Sequence, residues 1–217
     1  KEMDRGDMDH VVADYVAATN RALDAGFDML ELHCAHGYLL NTFLSPKTNH
    51  RVDEFGGSME NRLRFPLEVF NAIRNVWPDK RPIAVRISAK DWVEGGFEPE
   101  DSVEVAKAFK EVGCDIIDVS SGQVVAEEEP VYGRLFQLPF SDRVRLEAEI
   151  PTMTVGNIQS YADANSIIAG GRGDICVIAR MHLFDPYWTR HAANELNFPM
   201  RMPNQYGSVE DYTPRWI

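Results

Sequence analysis

Five short runs rich in Val, Ile and Leu recur along the 217-residue chain. They are FDMLELH (27–33), PIAVRIS (82–88), DIIDVSS (115–121), PTMTVGN (151–157) and DICVIAR (174–180). Near-continuous apolar runs of this length are typical of parallel strands that are covered on both faces. The sequence therefore predicts an α/β fold built on a parallel sheet.

Helical patterns separate these runs. MDHVVADYVAATNRALDAG has apolar side chains at helical spacing and closes on Gly26, and EPEDSVEVAKAFKEVG places Pro99 in its first turn and ends at Gly113. The junctions DAGFD, EVGCD and GGRGD repeat one order of helix stop, short turn, acidic residue and strand. This repetition predicts a (β/α)8 TIM barrel, with a doubly wound sheet as the alternative. Only about five βα units are present, which fits strands 4–8 of a barrel.

Composition excludes several classes of protein. With 34 acidic against 22 basic residues the net charge is −12, and nucleic-acid footprints are basic. The three cysteines are widely spaced and form no zinc-ribbon pattern, as expected for reduced thiols in the cytoplasm. No apolar run approaches the roughly 20 residues of a membrane span. We therefore expect a cytoplasmic protein with neither a nucleic-acid nor a membrane partner.

Polar residues cluster where the predicted strands end, which is where barrels place their chemistry. The first run ends in His33, and the second contains Arg86. Polar turn residues after strands are common, but an arginine inside an apolar strand is not. A buried guanidinium needs a partner, so Arg86 is a candidate functional residue.

The last two runs end in Gly156-Asn157 and Ala179-Arg180. In barrels, the loops after the last two strands often bind phosphate through backbone N–H groups. Glycine permits close approach of the backbone, and Arg180 would supply positive charge. An ordinary turn followed by a surface arginine is the alternative.

His33 and His36 form an i, i+3 pair, and Tyr38 follows two positions later. No third ligand stands at a suggestive spacing, so no metal site is predicted. The pair is either structural, satisfied by backbone groups, or donates to an anionic or carbonyl oxygen of a ligand. Tyr38 is either a proton donor or a half-buried tyrosine at a strand mouth.

Over about residues 10–196 these motifs resemble the Old Yellow Enzyme family of FMN-dependent NAD(P)H oxidoreductases and ene-reductases. The segment GFDMLELHCAHGYLLNTFLSPKTNHRVDEFGGSMENRLRF looks like the family's signature region. PIAVRISAKDWVEGGF, DIIDVSSG, PTMTVGNI and DICVIARMHLFDPYW are similar to its later strands, in order. The resemblance implies a TIM barrel with FMN, in which hydride passes from NAD(P)H through the flavin to an electron-poor enoate or aryl-CoA-derived substrate.

The resemblance also implies roles for individual residues. His33 and His36 match a pair that binds the substrate carbonyl oxygen, and Tyr38 matches a proposed proton donor. Arg86 matches the arginine beside the N1/O2 edge of the flavin. The residues that match the loops around the FMN phosphate are Gly156, Asn157, Ala179 and Arg180, where the family often has Gly-Arg in place of Ala179-Arg180.

Within the family, YGRLFQLPFSDRVR and ARMHLFDPYWTRHAA look closest to the Old Yellow-like half of bifunctional enzymes. Those are the aminobenzoyl-CoA monooxygenase/reductases and the salicylyl-CoA 5-hydroxylases. This second resemblance implies a role in aromatic degradation beside a monooxygenase domain.

The family's first three strands have no counterpart in this chain. We therefore interpret residues 1–196 as the C-terminal part of an FMN-binding barrel and residues 197–217 as a tail. The isolated chain is expected to bind FMN weakly and to be inactive without the missing N-terminal part of its parent chain. A small-molecule substrate and, as an open alternative, a second copy of the chain are the other expected partners. A catalytically silent docking or dimerisation module and a non-redox phosphate-binding barrel enzyme remain alternatives.

Overall fold

A computed structural model describes residues 2–209 and 212 of the chain. Within them, strands alternate with helices. The strands are β1 (Leu30–Cys34), β2 (Ile83–Ser88), β3 (Ile116–Ser120), β4 (Thr152–Thr154) and β5 (Ile175–Cys176). The helices are α1 (Arg5–Asp24), α2 (Leu39–Leu44), α3 (Met59–Arg74), α4 (Pro99–Glu111), α5 (Leu138–Glu147), α6 (Tyr161–Ala169), α7 (Arg180–Phe184) and α8 (Trp188–Glu195), and a 3₁₀ helix spans Asn204–Val209.

The five strands form one sheet in chain order, β1-β2-β3-β4-β5, and every neighbouring pair is parallel. Right-handed crossovers in an unbroken order place all the connecting helices on the same face. A doubly wound sheet would reverse its strand order to bring helices to both faces. The prediction of consecutive βα units, the building pattern of a barrel, is thus confirmed over this part of the chain.

The two faces of the sheet differ in character. Alternate side chains such as Leu32, Val85 and Ile117 pack outward into the main core, against buried helix residues that include Phe70 and Phe109. The opposite face holds only a small apolar cluster of Ala84, Ile116 and Met153. Because side chains alternate along a strand, the charged residues of this second face share one interior with that cluster.

The local signals for helix ends work as expected. Ser58 is the N-cap of α3 and its hydroxyl accepts from the N–H of Asn61 at 3.3 Å. The Asn61 amide does not complete a capping box, since it donates instead to the carbonyl oxygen of Gly56 at 3.0 Å. Gly113 ends α4 with a φ of 91°, in the left-handed region that glycine tolerates.

The last two strands are shorter than predicted. The β4–β5 pairing ends at Thr154 and Cys176, so Gly156-Asn157 and Ala179-Arg180 lie in the connections beyond the sheet and do not end the strands. Arg180 is the first residue of α7. The predicted tail includes the 3₁₀ helix, and residues 210, 211 and 213–217 lie outside the described residues. Among the helices described, none is long and apolar enough to cross a membrane.

Candidate active site

A cavity of about 880 Å³ opens at the carboxyl ends of the strands. That volume lies within the range of small-molecule and cofactor sites. Six of the eight predicted site residues line it together: His36, Arg86, Gly156, Asn157, Ala179 and Arg180. His33 and Tyr38 stand beside it. The sheet therefore gathers residues that are up to 144 positions apart in the sequence, from His36 to Arg180.

Two hydrogen bonds hold His36 after β1, and a third fixes the serine that accepts one of them. Its backbone has a φ of 59°, and its N–H donates to Ser88 Oγ at 2.9 Å. Ser88 in turn donates to the carbonyl oxygen of Gly122 at 3.0 Å. On the ring, Nε2 lies 2.7 Å from Ser120 Oγ. Two serines at the ends of β2 and β3 thus fix both the main chain and the imidazole of His36.

The other two residues of the motif lie against His36. The ring centroid of His33 is 5.2 Å from that of His36 and 5.1 Å from that of Tyr38. Nδ1 of His33 is buried and has no hydrogen-bond partner among the described residues. Tyr38, the N-cap residue of α2, is 63% exposed. The structure thus brings the three aromatic side chains together, with Tyr38 on the solvent side.

Both imidazoles are held neutral. Burial lowers the pKa of His36 to about 4, and the positive charge of Arg86 acts in the same direction. Burial and Arg86 also lower the pKa of His33. A neutral imidazole carries one donor and one acceptor nitrogen. At neutral pH the pair can therefore donate hydrogen bonds to a ligand oxygen without bringing net charge.

Arg86 has the partner that its place in an apolar strand requires. Its Nε lies 3.2 Å from Oδ2 of Asp118, its register neighbour on β3. Asp118 is only 2% exposed. Burial raises the pKa of Asp118 to about 7, against the opposing pull of Arg86. Of the two, Arg86 lines the cavity and Asp118 lies behind it on the neighbouring strand.

The far end of the cavity is shaped by the backbone. Gly156 has a φ of 119°, and a Cβ added there would lie 2.8 Å from Nε2 of Gln137. Asn157 has a φ of 56° and donates from Nδ2 to the carbonyl oxygen of Gly133 at 3.1 Å. Arg180 is exposed at the start of α7. This end therefore consists of a turn with positive φ at Gly156 and Asn157 and one exposed cation, Arg180.

Sequence reasoning missed Gln137, which joins the two ends. Its Oε1 accepts from Ser121 Oγ at 2.8 Å, and its Nε2 donates to the carbonyl oxygen of Val155 at 3.2 Å. It is buried just before α5 and lines the cavity. The polar ending of the third run was visible in the sequence, but nothing there pairs it with a glutamine sixteen positions later. Asp118, inside the same run, was visible as a charged residue in an apolar strand.

Comparison with known proteins identifies the family. The sequence model of the NADH:flavin oxidoreductase / NADH oxidase family matches residues 1–198. The chain belongs to this family. An NADPH dehydrogenase from a Geobacillus species is 46% identical over 206 residues, which cover 95% of this chain and 60% of that protein. The NADPH dehydrogenase of Bacillus subtilis is 41% identical over 205 residues, with 94% and 60% covered. The chain thus spans about 60% of the length of these curated relatives.

Solved structures agree on the fold. A 2-naphthoyl-CoA reductase in complex with 2-naphthoyl-CoA superposes with a TM-score of 0.83 at 28% identity, over 90% of this chain and 30% of that one. Morphinone reductase gives a TM-score of 0.73 at 25% identity, over 95% and 54%. These matches confirm the predicted Old Yellow Enzyme family and its barrel architecture. The aryl-CoA hydroxylase subfamily, with its monooxygenase and its role in aromatic degradation, stays a prediction.

Proposed function

We propose that this chain forms the FMN- and substrate-binding half of an oxidoreductase. The enzyme would pass hydride from NAD(P)H through flavin to an electron-poor acceptor. The observation that carries the proposal is the single cavity in which His36, Arg86 and the Gly156-Asn157 and Ala179-Arg180 connections meet. Membership of the NADH:flavin oxidoreductase / NADH oxidase family supports the same chemistry.

The residues at both ends of the cavity fit FMN. At one end, the turn at Gly156 and Asn157, both with positive φ, lines the cavity and would bring its backbone to a phosphate. Arg180, exposed at the same end, would add positive charge. At the other end, Arg86 presents a half-buried guanidinium to the cavity. Bound flavin would supply the two-electron chemistry that no side chain of this cavity provides.

The side chains would bind, orient and protonate the acceptor. His33 and His36, held neutral, would donate to its carbonyl oxygen and polarise it. His36 donates from Nδ1 only when the hydroxyl of Ser120 donates to Nε2, and Ser120 Oγ also lies 3.4 Å from the competing acceptor Oε1 of Gln137. Tyr38, in ring contact with His33, would donate the proton from the solvent side.

The phosphate end is tested with FMN and riboflavin, which differ only by the phosphate. We expect FMN to bind at least tenfold more tightly, measured by quenching of flavin fluorescence. Arg180→Ala should reduce that preference. Arg64→Ala, which removes an exposed arginine from α3, is the control and should leave it unchanged. Equal affinity for FMN and riboflavin would refute the phosphate site.

The histidine end is tested in the FMN-loaded full-length parent protein, because the isolated chain is expected to be inactive. His36→Ala should keep its flavin after desalting but lose at least tenfold in acceptor reduction driven by NADPH. A protein that binds FMN without being reduced by NADPH or NADH would favour the silent docking module. A protein that binds other phosphorylated metabolites and no flavin would favour the non-redox barrel enzyme.

A further inference from the structure

The interior behind Arg86 contains a carboxyl group that the proposed function does not use. Asp118 shares the register row His33–Arg86–Asp118 and points into the same interior. Oδ2 faces Arg86 Nε at 3.2 Å in an ion pair that lacks hydrogen-bond geometry, since Nε has no hydrogen-bond partner among the described residues. Oδ1 is buried and has no hydrogen-bond partner among the described residues. One carboxylate oxygen thus faces a cation and the other faces no donor, an arrangement that stabilises a proton on Oδ1.

We propose that Asp118 is a positioning residue for Arg86 and that its gain and loss of one proton, at Oδ1, sets how much positive charge Arg86 presents to the cavity. With Asp118 ionised, the guanidinium is largely neutralised from behind. With Asp118 protonated, the charge of Arg86 is directed at the ligand. The inference rests on the proposed function for the identity of that ligand, the flavin, and on the geometry alone for the coupled pair.

The groups around the pair make Asp118 the member that titrates. Glu31 and His33 on β1 and His36 in the following loop face Arg86, and β4 contributes Met153 at the level of Asp118. Both histidines are neutral at neutral pH and above, because burial and Arg86 lower the pKa of each. Arg86 stays charged. Burial raises the pKa of Glu31 as well, but Glu31 is an exposed residue on the same face, whereas Asp118 is buried.

The charge of Asp118 should change the midpoint potential of the bound flavin. Reduction places negative charge on the flavin, and an ionised Asp118 behind Arg86 opposes it. Asp118→Asn keeps the shape and stays uncharged at every pH. The variant's potential should therefore lie above the wild-type potential at about pH 8 and converge with it at about pH 5. A residue that served only to keep the fold would shift the potential by the same amount at every pH.

The experiment measures the midpoint potential of the FMN-loaded protein from about pH 5 to about pH 9. Glu31→Gln is the matched control, because it removes an exposed carboxylate from the same interior. We expect its difference from wild type to be smaller and to lack the change near neutrality. A constant gap between Asp118→Asn and wild type, or a variant potential below wild type, would overturn the proposal. So would a larger pH-dependent gap in Glu31→Gln.

A second measurement needs no flavin. The carboxyl carbon of Asp118 is followed by NMR as a function of pH in wild type, Arg86→Lys and Arg86→Met. Loss of the charge in Arg86→Met should raise the titration midpoint, and Arg86→Lys should preserve most of the wild-type value. Equal midpoints in all three proteins would refute the coupling. If the protein binds no flavin, the proposed function fails, and this titration still decides whether the pair is coupled.

Discussion

The two ends of the cavity differ in the strands that carry them and in how their residues are held. The inner end stands on β1, β2 and β3, which have five or six residues each, and its charged groups are held by buried side chains. The outer end follows β4 and β5, which have three and two residues, and Ile175 on β5 is 46% exposed. Side-chain chemistry shapes the first end and backbone conformation shapes the second. Substitutions should therefore act through charge at the inner end and through sterics at the outer end.

The pH dependence of stability tests the inner end most strongly. The pKa of Asp118 is raised to about 7, so its contribution to stability is full below the unfolded pKa of 3.8 and is lost as pH rises through 7. The pKa of His36 is lowered to about 4, so its contribution is full above the unfolded pKa of 6.5 and is lost as pH falls through 4. Between about pH 4 and pH 6.5, Asp118 therefore makes the free energy of unfolding of the wild type fall with pH, and His36 makes it rise.

Two variants should separate these opposing contributions to the pH dependence of stability. Relative to wild type, the free energy of unfolding of Asp118→Asn should increase with pH over that window, and that of His36→Gln should decrease. The difference should reach about 3–4 kcal/mol for Asp118→Asn, since one pKa unit corresponds to about 1.4 kcal/mol, and should be smaller for His36→Gln, because the His36 side chain is only partly buried and solvent screens it. Urea denaturation at several pH values measures both. Parallel curves for all three proteins would show that neither group is perturbed.

Arg86→Ala should have the next largest effect. It leaves the carboxyl of Asp118 buried without its cation, and breaking a buried pair typically costs about 3–5 kcal/mol. Because Asp118 can respond by taking up a proton, we expect about 3 kcal/mol, the lower end, in urea denaturation. Arg145→Ala is the control, since it breaks a pair with Asp174 in which both side chains are about one-third exposed. It should cost less than about 1 kcal/mol, and equal losses would contradict the contrast.

Gly156→Ala tests the outer end. The new Cβ meets Gln137 at 2.8 Å and the φ of 119° is unfavourable for alanine, so we expect a loss of about 2 kcal/mol and weaker FMN binding. Gly171→Ala separates strain from contact, because its φ is 65° with no atom within 4 Å of the added Cβ. It should cost about 1 kcal/mol. If the two losses match, the approach to Gln137 is not what restricts position 156.

The contrast between the two ends also explains what the sequence could predict. Strand identity, order and most of the site residues follow from apolar periodicity and from motifs, which are local signals. Arg86 was recognisable because a charge interrupts an apolar run, and the need for a partner followed from the same observation. The register that supplies Asp118 comes from strand pairing, which no local pattern encodes.

The predictions that were wrong concern the outer end, where the apolar runs extend beyond the strands that they predict. The runs PTMTVGN and DICVIAR continue in sequence past Thr154 and Cys176, but a strand ends where its partner stops pairing. Gln137 was missed because its role depends on three carbonyl and hydroxyl groups brought to it by the fold. Long-range hydrogen bonds of this kind arise from tertiary packing, which composition and spacing do not record.

Ser120→Ala should have the smallest effect on stability, and it tests directly whether Ser120 orients His36. Loss of the hydroxyl at 2.7 Å from Nε2 of His36 should cost about 1 kcal/mol in stability. It should also remove the hydrogen bond that influences which ring nitrogen of His36 carries the proton. The KM for the acceptor should then rise severalfold while FMN affinity is unchanged, because Ser120 orients the histidine rather than the flavin. Steady-state kinetics and flavin fluorescence measure the two quantities.

Ser121→Ala is the matched control for the loss of one buried hydroxyl. Ser121 is the next residue, is also buried, and directs its hydroxyl to Gln137 at 2.8 Å, away from His36. Both variants delete one buried hydroxyl, so their stability losses should be similar. Only Ser120→Ala should raise the KM for the acceptor and shift the NMR titration of His36. If both variants raise the KM equally, the effect travels through Gln137, and the two ends of the cavity are coupled rather than independent.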